Sequence, residues 1–236
     1  MKIAIIGQGN VAWHLNRWFS GKAEVVPVNS RGMDTLPSDA DIYIISVSDN
    51  AICEVARKLI GMPGIVAHTS GTTSIEVLPK EIAHRGVFYP MQTFTKGKAL
   101  VYDEIPLFVE GSEKGVEDAL YEFAASVSQS VERADSSRRR KLHLAAVLAC
   151  NYVNYLFTLA DDLLRGEHLD LSVLYPLIEE TVGKCRELTP VKSQTGPARR
   201  RDTLTLQCHL EVLPEGSDLQ TLYALMAKMI MQRYQN

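Results

Sequence analysis

The stretch Lys2-Ile3-Ala4-Ile5-Ile6-Gly7-Gln8-Gly9-Asn10-Val11-Ala12 decides how the rest of the chain is read. An apolar run stops at a glycine turn, and a helical pattern opens directly after it. Strand, turn and helix in that order aim bare amides and the positive end of a helix dipole at whatever sits above the turn. Gly7 is expected to permit the tight bend, Gly9 to let a pyrophosphate approach the backbone, and Ala12 to let helix and strand pack closely. Asn10 is expected to cap the helix, and Gln8 and Val11 to complete the loop around the ligand.

Working outward, the first half alternates β-type runs with helical runs. Strands are expected at 2–6, 24–28, 41–47, 64–68, 87–89, 106–109 and 131–133, and helices at 11–20, 50–60, 74–83 and 113–128. Strands separated by helices predict a mostly parallel, doubly wound α/β sheet of the Rossmann type, and near-continuous apolar strands fit a sheet buried on both faces. Beyond residue 135 strand signals vanish. Helices are expected at 137–165, 172–188, 201–213 and 218–235, so the reading is a dinucleotide-binding domain over 1–135 and an all-helical domain over 136–236.

The second strand runs into Asn29-Ser30-Arg31. A site for a ribose carrying free hydroxyls places Asp or Glu here; this chain has two neutral residues and a cation, which favours a 2′-phosphate and therefore NADP(H) over NAD(H). The absent acid also weighs against a methyl-donor-binding transferase. Asn29, Ser30, Arg31, Val47 and Ser48 join the loop as cofactor-binding candidates. Ser48 or Asp49 serves either as a helix cap or as a cap that also lines the cofactor.

Two more loops leave strand ends on the same edge, Ala67-His68-Thr69-Ser70-Gly71-Thr72 and Tyr89-Pro90-Met91-Gln92-Thr93-Phe94. His68 is a candidate proton donor or acceptor, Ser70 a candidate hydrogen-bond donor to a substrate oxygen, and Gln92 and Thr93 candidates to orient it. In the apolar helix that follows, His143, Asn151, Asn154, Thr158 and Asp161 fall on one arc at helical spacing, either lining a cleft or forming a seam between helices. His143 is a catalytic candidate, and Asn151 and Asn154 are substrate-binding candidates. Arg138–Lys141 reads as a solvated charge run. In Thr195-Gly196-Pro197-Ala198-Arg199, a rigid turn precedes a cation suited to bidentate anion binding, which makes Thr195 and Arg199 substrate-binding candidates; Asp202 is expected to start the next helix.

The glycine loop, the 67–71 and 89–94 segments, the polar-striped helix and Thr195-Gly196-Pro197 followed by Asp202 occur in an order that resembles the Rossmann-like proteins with an all-helical C-terminal domain, often provisionally labelled NADP oxidoreductases. That resemblance implies the wider 6-phosphogluconate dehydrogenase-like superfamily, in which the helical domain closes the cleft and builds a dimer. Tyr89-Pro90-Met91 is similar to the His-Pro-Met segment of prephenate dehydrogenases, with tyrosine in place of histidine.

Composition sets the frame. The chain has 236 residues, 46% hydrophobic and 22% charged, with a net charge of −3. These values fit a folded protein and exclude a strongly basic nucleic-acid or membrane-surface binder. No apolar run is expected to be long enough to span a bilayer, and the N-terminal run is too short for a signal-peptide core. The four cysteines lack metal or redox spacing; no metal is expected, and they read as buried free thiols of a cytoplasmic protein. The expected activity is NADP(H)-dependent hydride transfer to or from a small anionic carbonyl, imine or alcohol. The alternative is a non-catalytic dinucleotide-binding redox sensor or assembly protein.

Overall fold

The computed structural model describes residues 1–234. Seven strands, β1 (Lys2–Ile6), β2 (Glu24–Val28), β3 (Ile42–Ile45), β4 (Ile65–His68), β5 (Arg85–Pro90), β6 (Leu107–Gly111) and β7 (Val131–Arg133), form one sheet in the order β2-β1-β3-β4-β5-β6-β7. The first five are parallel, β6 runs antiparallel to β5, and β7 is parallel to β6. Ile3, Ala4, Ile5 and Ile6 are all fully buried, alternate residues feeding separate apolar layers on the two faces. This double burial explains why β1 reads as a continuous apolar run. Because β2 and β3 flank β1 on opposite sides, the chain reverses direction at β1/β3, and a crevice opens beyond the strand ends there.

Helices α1 (Asn10–Phe19), α2 (Ile52–Arg57) and α3 (Lys114–Val127) follow β1, β3 and β6. The helix expected at 74–83 does not form; a single 3-10 turn covers Ile75–Val77. Pro79 is the cause, since it forces Leu78 into extended geometry, φ −75° and ψ 129°, and removes an amide. The cap of α1 is also corrected. Gly9, φ −74° and ψ −175°, occupies the cap position without a side-chain bond, and Asn10 is the first helical residue.

The helical run of the second half comprises α4 (Ser136–Ala146), a π turn at Val147–Asn151, α5 (Tyr152–Arg165), α6 (Tyr175–Glu187), the short α7 (Pro190–Ser193) and α8 (Pro197–Arg200), α9 (Thr203–Val212) and α10 (Asp218–Arg233). Residue 235 of the expected last helix lies outside the described residues. Contacts divide the chain into Met1–Tyr152 and Val153–Asn236. Secondary structure changes character at 135/136, but α4 packs with the sheet unit.

Ser136–Arg165 forms one continuous helix, long and apolar enough by length and composition to cross a membrane, with an 18-residue window of mean hydropathy 1.4 of which none is buried. The expectation that no apolar run is long enough to span a bilayer is corrected by this helix. All four cysteines are free, but Cys150, Cys185 and Cys208 are exposed and Cys53 half-buried. The expected burial fails because the first three sit on helix faces left uncovered within one chain.

Candidate functional site

The loops after β1, β2, β3 and β4 converge on a cavity of about 680 Å³ lined by Gln8, Gly9, Asn10, Val11, Ser30, Arg31, Val47, Ser48 and Thr69, among others. Gly7 lies beneath it with φ +147°, and a Cβ there would overlap the carbonyl oxygen of Ser46, so only glycine permits β1 and β3 to approach so closely at the bend. Gly9 is different. Its missing side chain faces open space, with no protein atom within 4 Å, and that space is the cavity. The first-turn amides of α1 have no intrahelical acceptor. A cavity that a Cβ would fill, floored by free amides at a helix N-terminus, fits the diphosphate of a dinucleotide.

At the far end of the cavity stand Ser30 and exposed Arg31. Asn29 does not line it. Its Oδ1 accepts a hydrogen bond from the Arg31 amide (3.0 Å), fixing the turn that presents Ser30 and Arg31. Ser48 sits at the cap position of a 3-10 turn without capping it, and its place is in the cavity wall. The Asp49 carboxylate instead accepts from Thr72 Oγ1 (2.8 Å), tying the loop after β3 to the loop after β4.

His68 and Ser70 are held within the loop after β4. His68 is 0% exposed, and its Nδ1 accepts from the Ser70 amide at 3.2 Å. Burial, reinforced by the Arg139 guanidinium, lowers its pKa to about 4, so the ring is neutral and sealed from solvent near neutral pH. Ser70 Oγ donates to Thr73 Oγ1 (2.9 Å) and accepts from the amides of Thr72 and Thr73, which fills its hydrogen-bonding capacity inside the loop. Both residues shape the loop; Ser70 Oγ is fully used within it, whereas Nε2 of buried His68 has no hydrogen-bond partner.

What shapes the loop most is Arg139, one of the four residues read as a solvated charge run. It is 0% exposed. Its guanidinium pairs with the Glu110 carboxylate on β6, and donates to the carbonyls of Ser70 (3.1 Å for Nε) and Thr73. The run Arg138–Lys141 gave no sign of this, because a buried cation is recognisable only through partners 29 and 69 residues away.

A second cavity of the same unit, about 390 Å³, lies against α4 and the end of β5. Tyr89, 7% exposed, brings its hydroxyl to 3.1 Å from Nδ1 of half-buried His143, and burial raises the tyrosine pKa. Gly71 permits this pairing; a Cβ there would come 2.5 Å from His143 Nδ1 and 2.9 Å from the tyrosine ring. Met91, Gln92, Thr93 and Asn151 also line this cavity. Gln92 is exposed and folds back, its Oε1 accepting from the Thr93 amide at 2.7 Å. Tyr89 was missed as a site residue, although it stands where the resemblance had placed tyrosine for histidine.

The polar arc does not persist as one set. The π turn at Val147–Asn151 inserts a residue into the helical repeat, and a phase of 100° per residue does not carry across it. His143 and Asn151 line the cavity of the first unit. In the second unit Asn154, Thr158 and Asp161 share a separate hollow, where Asp161 accepts from Arg165 Nε (2.7 Å) and from the Leu171 amide. Thr195 lines a small apolar cavity of that unit. Arg199 lies over the ring of Tyr234, 4.6 Å from its centroid, in a cation–π contact. Asp202 caps α9 as anticipated, accepting from the Thr205 amide at 3.1 Å. No group of three or more His, Cys, Asp or Glu side chains is placed to hold a metal among the described residues.

A protein from Bacteroides fragilis provisionally described as an NADP oxidoreductase superposes with a TM-score of 0.90 at 33% identity, over 98% of each chain. A protein from Thermotoga maritima superposes at 0.76 with 20% identity, over 99% of this chain and 98% of that one. An imine reductase from Streptomyces aurantiacus shares the fold at 0.63 with 11% identity, over 98% and 96%. Among curated proteins no sequence matches. The family model described as a domain of unknown function, DUF2520, matches residues 105–230. More than half of the chain lies inside that model and nearly all of it is shared with the Bacteroides protein, so this chain belongs to the DUF2520 family of Rossmann-like proteins.

Proposed function

We propose that this protein is an NADP(H)-dependent oxidoreductase acting on a small carbonyl, imine or alcohol. The observation that carries the reading is the cavity over Gly9. It lies where the sheet reverses its winding, its floor is unpaired amide, and its far wall carries Arg31 in place of an acid. The descriptions of the Bacteroides protein and of the imine reductase agree with such chemistry.

Gly9, Asn10 and Val11 would hold the diphosphate, Ser30 and Arg31 the 2′-phosphate, and Val47, Ser48 and Thr69 the wall toward the nicotinamide. A bound nicotinamide supplies or accepts hydride; the protein contributes position and protonation. Calorimetric titration with NADPH and NADH tests the preference. NADPH is expected to bind more tightly, and Arg31→Ala to weaken NADPH by roughly 10–100-fold while sparing NADH, the range of a charge-assisted hydrogen bond. Equal affinities in the parent protein would refute the NADP(H) assignment.

We further propose a homodimer built through the helical unit. Over Val153–Asn236 only Ala198, Leu206, Leu213 and Ala227 are buried apolar residues among those described, while Leu177, Val182, Leu204, Val212 and Met229 are exposed. So small a core does not offset the chain entropy of that unit, and a second copy supplies the missing contacts.

A further inference from the structure

We infer that the cavity beside α4 binds the uncharged, apolar end of a ketone or cyclic imine, and that the Tyr89–His143 pair supplies the proton to its oxygen or nitrogen. The inference rests on the oxidoreductase reading above and assigns the acid/base role to a different pair from His68 and Ser70.

The argument begins with proton counting. A tyrosine hydroxyl and a neutral imidazole carry two acidic protons, and the contact between Tyr89 Oη and His143 Nδ1, 3.1 Å, uses one of them. If tyrosine donates, imidazole is left with a free Nε2–H. If Nδ1–H donates, tyrosine is left with a free O–H. Either way one donor remains for a ligand, and both side chains line the cavity. Protonated His143 adds a second donor. When hydride and its electron pair add to the carbonyl carbon, the oxygen takes a proton from that protonated pair. The alcohol leaves behind a neutral imidazole whose remaining contact is still with Tyr89. Burial raises the Tyr89 pKa and holds its proton on oxygen, which makes Tyr89 the residue that positions the imidazole.

The lining then sets the ligand class. It contains Leu142, Ala146 and Val147 with Met91, and polar groups only at the Tyr89–His143 pair, Gln92, Thr93, Cys150 and Asn151. No Lys, Arg, Asp or Glu lines it. A carboxylate buried here would lack a permanent counter-ion, which is costly. Of the four cations on α4, Arg139 is committed to Glu110 and two carbonyls, and Arg138, Arg140 and Lys141 stand outside the lining. The anionic group expected from the sequence therefore finds no partner in this cavity, and the aliphatic wall favours an apolar body.

The test uses the full chain saturated with NADP⁺, its binding first verified by calorimetry, and two matched probes: acetophenone, and phenylglyoxylate, which carries a carboxylate where acetophenone has a methyl. Ligand binding is followed on the His143 imidazole signals by ¹⁵N NMR. Acetophenone is expected to shift those signals saturably and to bind at least about tenfold more tightly than phenylglyoxylate. Tyr89→Phe and His143→Gln should each weaken acetophenone by about tenfold, and Tyr89→Phe should also change the tautomer signature of His143. Gly71→Ala, which wedges the pair apart, should reproduce the loss while NADP⁺ still binds. With NADPH, His143→Gln should lower acetophenone turnover roughly a hundredfold in kcat with a smaller change in KM. Signals of His143 unmoved by acetophenone, tighter binding of phenylglyoxylate, or Tyr89→Phe without effect would overturn the inference while NADP⁺ binding leaves the oxidoreductase reading standing. Failure to bind NADP⁺ would overturn both.

Discussion

Replacing Arg139 with methionine should be among the most damaging single changes in the sheet unit, although the position sits in a run of four basic residues. Methionine keeps the length of the apolar stem and removes the guanidinium. It leaves the Glu110 carboxylate, whose side chain is only 12% exposed, without its cation, and the carbonyls of Ser70 and Thr73 without their donor. Breaking a buried ion pair from one side costs about 3–5 kcal/mol, because the remaining charge stays desolvated. For a chain of this size each kcal/mol moves the melting temperature by about 2–4 °C, so the variant should melt roughly 6–20 °C lower by calorimetry or circular dichroism. Arg139→Lys should recover only part of the loss, since an ammonium cannot span a carboxylate and two carbonyls from one planar fork. NADPH affinity should fall with stability, because the loop that Arg139 holds carries Thr69 in the cofactor wall. A methionine variant melting within about 2 °C of the parent would refute the reasoning.

Two further outcomes follow from the same geometry. The folded-state pKa of His68, about 4 against 6.5 for the free side chain, means that the unfolded chain takes up the proton first as the pH falls. The stabilisation from the neutral buried ring is fully present above about pH 6.5 and is lost progressively toward about pH 4. His68→Asn, whose Oδ1 can still accept from the Ser70 amide, should flatten the fall in melting temperature between about pH 7 and about pH 5, and an unchanged slope would show that His68 does not set it. The apolar faces of the helical unit should hold the protein as a dimer in sedimentation equilibrium at micromolar concentration, and Leu204→Glu together with Met229→Glu should yield monomer; a parent protein that sediments as monomer would contradict the homodimer.

Much of the fold is legible in the sequence because its signals are local. Six of the seven strands announce themselves as largely apolar runs near turn residues, the exception being β7, Val131-Glu132-Arg133. The bend at Gly7 follows from a short-range rule, that a glycine after a buried strand and before a helix marks close approach. The failures are of two kinds, local preferences outweighed by a neighbouring residue and partners distant in sequence. Pro79 acted one residue upstream, through Leu78, and overrode helical periodicity. Asn10 lost the cap because the helical repeat begins one residue earlier, the Gly9 carbonyl already accepting from the Trp13 amide. Arg139 and the pairing of Tyr89 with His143 depend on partners brought together only by the fold; the sequence named His143 from its helical arc but not the tyrosine it meets. The single arc from His143 to Asp161 presumed an unbroken 3.6-residue repeat, and the π turn at Val147–Asn151 ended it.

The central claim is that the open space over Gly9 receives a diphosphate. Gly9 has an ordinary φ of −74° and no neighbour within 4 Å, so a valine there strains nothing in the folded chain and fills only the cavity. Calorimetric titration of NADPH into the parent protein and into Gly9→Val tests this directly. The account predicts saturable heat in the parent, a loss of at least about tenfold in affinity in the variant, and melting temperatures in the absence of ligand within about 2 °C of one another. Equal NADPH affinity in the two proteins, or no binding by the parent, would contradict it.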